Sequence, residues 1–382
     1  MLYMDYAATT PVRPEVQEEM THYFAAQFEN PHSPHEAGLR VKAAVEEARE
    51  RVGRVIGVSP RQVVFTSGGT EANNLAILGG ARARRKRGNH LVTTSIEHKS
   101  VLGPMSALAK EGFGVDFFPL DSTGLLDREK WQECLTPQTV LVSVGHANNE
   151  IGTLQPVAEL APVLRQKGIL FHCDCIQSFG KVWVDAAEIG ADLISVSGHK
   201  LYGPKGVGFL YVGPGVRLEP LMYGGGQERG LRPGTLNVPA IMGLAKAVEL
   251  AGQEYKRELL RLLALRTELI NRALLIPGVY LNGHPTQRLP HHVNLGVSGI
   301  EGQVIVSEMG KRGIAISTGA ACSSGSREPS HVLMALGQAA GEAAQGFRIT
   351  VGVDTTVQDI LSFAANLSRV VDDLSERFCF HK

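Results

Sequence analysis

Between Val63 and Val212 this 382-residue chain repeats one pattern: a short β-branched apolar run, a stretch with helical spacing, then another run. The runs fall at 63–66, 90–94, 114–118, 140–144, 169–174, 191–196 and 208–212. Strands joined by helical crossovers lie parallel in one sheet and need helices on both faces to bury it. The pattern predicts a three-layer α/β unit with a mostly parallel seven-stranded sheet. The last two runs are joined by about eleven glycine-rich residues, too few for a helical crossover, so the final strand is expected to be antiparallel.

Helical spacing resumes over Val238 to Leu275, and its Tyr255 to Leu275 half is expected to bridge to a second, smaller α/β unit. Strands are predicted there at Val279–Asn282, His292–Val297, Ile314–Ser317 and Phe347–Val351. A closing helix is signalled by Thr356 with Asp359 three residues on, followed by apolar positions 360, 363, 364, 367, 370, 371 and 374. A hydrophobic fraction of 43% over this length supports two cores. The expected division is 13–254 for the large domain, with 1–12 and 255–382 forming the small one.

Charge excludes several classes of partner. Lys plus Arg and Asp plus Glu both number 38, so no net field attracts nucleic acid or an anionic membrane. No apolar span reaches the length needed to cross a bilayer, and a soluble cytoplasmic protein is expected. The five cysteines, Cys134, Cys173, Cys175, Cys322 and Cys379, are odd in number and scattered, which argues against a disulfide framework. Cys173 and Cys175 flank Asp174 and are read as small packing residues. Two thiols without a second pair are poor evidence for zinc, and no resident metal site is legible.

Ligands of such sheets collect at the carboxyl ends of strands. Thr66, Asp174 and the run Ser197-Gly198-His199-Lys200 all lie at or just past such ends. Lys200 supplies an amine, and Asp174 supplies a carboxylate 26 residues earlier. The turn Ser67-Gly68-Gly69-Thr70 opens a helix, where bare amides form an anion site. An amine, an acid and a phosphate cup are the requirements of pyridoxal phosphate.

The stretches Ser67 to Asn74, Glu97-His98, Asn148-Asn149-Glu150-Ile151-Gly152, Asp174-x-x-Gln177 and Ser197 to Lys200 follow one another as in the cysteine desulfurases. The likeness runs from Asp5-Tyr6-Ala7-Ala8-Thr9-Thr10-Pro11 to the closing helix, and the small-residue segment Ser317 to Ser326 around Cys322 is its most discriminating part. The chain thus resembles the NifS/IscS-like branch of the class V aminotransferase family. That resemblance implies the fold-type-I architecture of pyridoxal phosphate enzymes and conversion of L-cysteine to L-alanine.

By the same resemblance, Lys200 holds the cofactor and moves the α-proton, and Asp174 pairs with the ring nitrogen. His98 lies over the ring, while Asn149 and Gln177 bond its hydroxyl region. Gly69, Thr70, Ser197 and His199 take the phosphate, together with Thr235 from the neighbouring subunit of a homodimer. Arg348 clamps the substrate carboxylate, which Asn149 also approaches. Cys322, on a mobile loop at about 317–330, accepts the sulfur as a persulfide. Implied acceptors are an iron-sulfur scaffold or a tRNA-thiolating enzyme, with a transient iron-sulfur contact through the Cys322 persulfide. An aminotransferase or carbon-sulfur lyase of the same fold would share Lys200, Asp174 and Arg348 without needing that cysteine. A scaffold that only docks acceptor proteins would need none of them.

Overall fold

The computed structural model describes residues 1–318 and 329–377. Cys322 and Cys379 therefore lie outside the described residues. The chain enters through β1 (Leu2–Tyr3) and then builds the central sheet from β2 (Val63–Thr66), β3 (His90–Thr94), β4 (Gly114–Phe118), β5 (Thr139–Gly145), β6 (Leu170–Asp174), β7 (Leu193–Ser197) and β8 (Gly208–Val212). Their spatial order is β2-β8-β7-β6-β5-β3-β4. β8 runs antiparallel to both its neighbours, and the other pairs are parallel. β6 is buried at every position, as a strand covered by helices on both faces must be.

A smaller antiparallel sheet, in the order β12-β10-β9, comprises β9 (Val279–Asn282), β10 (His292–Val297) and β12 (Phe347–Thr350). The predicted strand at Ile314–Ser317 does not join it. Only Ile314–Ala315 forms a strand, β11, which pairs in parallel with β1. Ser317 instead makes an isolated bridge to Arg348, its amide donating to the Arg348 carbonyl at 3.2 Å while its own carbonyl accepts at 2.6 Å.

One 36-residue helix, Val238–Ala273, spans both cores. Ile241, Leu244 and Val248 pack under the central sheet, and Leu262, Leu265 and Leu269 pack with β10 and β12. The closing helix Val357–Arg377 buries Ile360, Phe363, Leu367, Val370, Val371 and Leu374 in the second core. Its start is a reciprocal cap in which the Thr356 amide donates to Asp359 and the Asp359 amide donates to Thr356 Oγ1.

The glycine-rich segment around Gly224 to Thr235 is fastened to the sheet by a buried ion pair. Arg49 grips both oxygens of Glu228 at 2.8 and 2.7 Å, and the same carboxylate accepts from the Phe65 amide at 2.8 Å. Glu228 and Arg229 sit at φ 46° and 57°, a left-handed conformation that costs non-glycine residues about 1–2 kcal/mol each. Arg49→Ala leaves Glu228 as an uncompensated buried carboxylate, so it is expected to lower unfolding stability by about 3–5 kcal/mol in urea titration. A loss under about 1 kcal/mol, the range of an exposed pair, would contradict that account.

Candidate active site

The carboxyl ends of the parallel strands enclose a cavity of about 280 Å³. Gly69 and Thr70 reach it from beyond β2, and His98 from beyond β3. Asn149 follows β5, Asp174 ends β6 with Gln177 just beyond it, and Ser197 ends β7 with His199 and Lys200 in the turn that follows. Register explains the convergence: Gly145 of β5 pairs with Asp174, and Asp174 pairs with Ser195. Gly68 takes φ 148°, and a Cβ on Gly69 would lie 2.2 Å from Ile176 Cδ1. Gly68 is thus required by its backbone conformation, and Gly69 by the close approach of Ile176.

Asp174 anchors a chain of hydrogen bonds. Its Oδ1 accepts from the Ile176 amide at 2.9 Å, and its Oδ2 accepts from Asn73 Nδ2 at 2.7 Å. The second Asn73 amide proton goes to Ser100 Oγ at 2.8 Å, and Ser100 Oγ lies 2.8 Å from His98 Nδ1. Turning the Asn73 amide round would set its oxygen against the carboxylate, so its orientation follows from the network. Ser100 Oγ accepts from Asn73 and therefore donates to His98. The Ser100 amide donates to the same Nδ1 at 3.1 Å. Two donors at Nδ1 place the proton of neutral His98 on Nε2. Asn73 Oδ1 is left buried without a partner among the described residues, a cost of about 1–3 kcal/mol accepted while both amide protons serve this link.

Burial pushes the Asp174 carboxyl up, while its two hydrogen bonds and the charges of His98 and Lys200 pull it back. Both hydrogen bonds come from neutral donors, so the charge of the carboxylate is balanced through space by the nearby cationic groups and would be met more fully by a cation in direct contact. Beside it, Glu97 is enclosed, accepting from Thr94 Oγ1 at 2.7 Å and from the Gly145 amide at 3.0 Å. Burial raises its pKa to about 7.

Lys200 Nζ donates to the carbonyls of Ala7 and Ala8 at 2.5 and 2.8 Å. His199 Nδ1 lies 3.2 Å from Thr9 Oγ1. Burial and the adjacent Lys200 charge lower the His199 pKa to about 4, so this ring is neutral near pH 7.

Arg348 lies outside the cavity lining but touches it through Asn149, whose carbonyl accepts from Arg348 Nη1 at 2.9 Å. Thr235 is exposed and also outside the cavity. Both ends of the segment carrying Cys322 are tied to this neighbourhood: Ser317 pairs with Arg348, and Ser330 Oγ donates to the buried Glu150 carboxylate. Cys173 and Cys175 are buried in the apolar core with their sulfurs 3.6 Å apart. Among the described residues no helix is long and apolar enough to cross a membrane.

Asn73, Glu97, Ser100 and Asp5 are among the site residues to which the sequence assigned no role. Asn73 and Asp5 stood inside recognisable stretches, yet their partners lie 101 and 343 residues away in the chain. A polar residue predicted on a buried helix start was the available signal for Asn73.

The aminotransferase class-V family matches residues 2–363. Cysteine desulfurase IscS 1 of Archaeoglobus fulgidus is 45% identical over 374 residues, covering 98% of both chains. Among solved structures, a NifS-like protein superposes with a TM-score of 0.91 at 35% identity, covering 98% of this chain and 99% of its own. A structure of SspA in complex with cysteine gives a TM-score of 0.81 at 36% identity, covering 92% and 99%.

Proposed function

Because the chain belongs to the aminotransferase class-V family and is a pyridoxal phosphate-dependent cysteine desulfurase within it, we propose that it stores the sulfur of L-cysteine as a persulfide on Cys322. The observation that carries this reading is the meeting of Lys200, Asp174 and His98 in one cavity, beside the anchored ends of the Cys322 segment.

The residues present fit the cofactor. Asp174 is a buried acid that accepts from the neutral donors Asn73 and Ile176, and it would hold the protonated ring nitrogen. Lys200 offers an amine for the aldehyde carbon. Thr70, Ser197 and His199 stand with Gly69 around a close-packed turn suited to phosphate. Pyridoxal phosphate, when bound, supplies an electron sink for charge developing at the substrate α-carbon.

The protein's own groups then do the rest. Arg348 orients the amino acid by its carboxylate, as a planar fork of donors does. Lys200 Nζ takes the α-proton in this reading, and His98, with Nδ1 occupied by Ser100, offers Nε2 for proton transfer. The Cys322 thiolate attacks the substrate sulfur, the carbon-sulfur bond breaks, and alanine is completed by protonation. One cysteine and one thiol give one alanine and one persulfide, with no external oxidant.

We assign the persulfide to a protein acceptor, either an iron-sulfur scaffold or a tRNA-thiolating enzyme, in the cytoplasm. The active species is read as a homodimer in which Thr235 reaches the phosphate of the neighbouring subunit. Incubation with L-cysteine followed by peptide mass spectrometry should find one added sulfur atom on the peptide containing Cys322. Recovery of that sulfur on Cys134, Cys173, Cys175 or Cys379 instead would overturn the assignment.

A further inference from the structure

Lys200 lies in the turn just past β7 of the central sheet and Arg348 on β12 of the smaller one, and residues 5–10 run between them. At one end, Asp5 Oδ1 accepts from Arg348 Nη2 at 2.8 Å, Asp5 bridges to Thr350, and the Ala7 amide donates to Thr350 Oγ1 at 2.9 Å. At the other end, the Ala7 and Ala8 carbonyls receive Lys200 Nζ, the Thr10 amide donates to the His199 carbonyl at 3.0 Å, and the Tyr202 amide donates to Thr10 Oγ1 at 2.8 Å. Six residues therefore touch both expected reactive groups directly.

Arg348 is 3% exposed. Of its five donor hydrogens, one on Nη1 goes to Asn149 and one on Nη2 goes to Asp5, while Nε is buried with no partner among the described residues. Asn149 accepts through a neutral carbonyl, so of these two groups hydrogen-bonded to the guanidinium Asp5 is the charged one. It fixes the guanidinium through Nη2, and among the described residues Nε is not taken, so that edge is assigned to a ligand. A clamp works only when its plane is held, since about 1 Å of misplacement costs about a hundredfold.

We infer that Asp5 is the positioning residue of the carboxylate clamp, holding the Arg348 guanidinium in a register that the strap of residues 5–10 sets against Lys200. This deepens the proposed function and rests on its assignment of Arg348 to the substrate carboxylate. Asp5 has two opposed effects: its charge repels an incoming carboxylate, while its hydrogen bond orients the group that receives it. Arg348 is almost fully enclosed and the buried Glu150 carboxyl is also within its electrostatic reach, so removing Asp5 leaves another acidic group in place and loses chiefly the orienting bond, which makes orientation the larger of the two.

The test is calorimetric binding of the product L-alanine to the cofactor-loaded protein, alongside steady-state kinetics with L-cysteine. Asp5→Ala should weaken L-alanine about tenfold, with the kinetic loss concentrated in KM. Asp5→Asn, whose amide oxygen still accepts from Nη2, should recover binding to within about threefold of wild type. Unchanged or tighter L-alanine binding in Asp5→Ala would overturn the proposal, because repulsion would then be the main effect. Equal losses in both variants, matched by equal drops in thermal stability, would overturn it too and leave Asp5 a structural role. Arg348→Ala is the control for the underlying reading: if that variant binds L-alanine normally, the carboxylate assignment is wrong and the strap proposal falls with it.

Discussion

Cys322→Ser is expected to reduce alanine formation from L-cysteine to less than about one-thousandth of the wild-type rate while leaving cofactor content unchanged. An unperturbed thiol of pKa ~8.5 already provides a few per cent of thiolate at neutral pH, and sulfur is the better nucleophile toward sulfur. A serine hydroxyl supplies neither the anion nor a sulfur that can hold a second one. Cofactor retention rests on other residues, Lys200, Asp174 and the turn at Gly69 and Thr70, none of which the substitution touches. Alanine and sulfide release would be measured together. A variant that still makes alanine at the wild-type rate would return the chain to the aminotransferase or lyase alternative.

Lys200→Ala should be as severe, for a different reason. Lys200 is the amine placed in the cavity with Asp174 and His98, and removing a positioned general base alone costs about 10²–10⁴-fold. The same change removes the group that would hold the aldehyde, so a total loss of at least about a thousandfold is expected. Absorption spectra should show loosely held cofactor that dialysis removes, whereas wild-type protein keeps it. Retention of tightly bound, lysine-type absorption in Lys200→Ala would mean that another amine does this work.

The central sheet was legible because parallel strands buried on both faces are written as nearly unbroken apolar runs, as Leu170-Phe171-His172-Cys173-Asp174 is. The antiparallel final strand was legible from the length of one connection. Ile314–Ser317 misled because its apolar residues satisfy a strand pattern whichever partner they take. The partner is the two-residue β1, which no local periodicity announces. In the site, residues at strand ends were readable one by one, since each sits beside a recognisable turn. The link from Asp174 through Asn73 and Ser100 to His98 was not, because a hydrogen bond between residues 101 positions apart leaves no trace in spacing. Asp5 was hidden for the same reason, its partner lying on the last strand of the other sheet.

The helix Val238–Ala273 has a mechanical consequence. At 36 residues and about 1.5 Å per residue it is a beam of about 54 Å, with one half clamped in each core and no loop between the halves. Rotation of the smaller sheet toward the cavity cannot use a hinge there. It must flex the beam elastically, which spreads a small angle over many turns and returns the two halves to the same rest position. A proline at its solvent-facing midpoint would replace that spring with a joint.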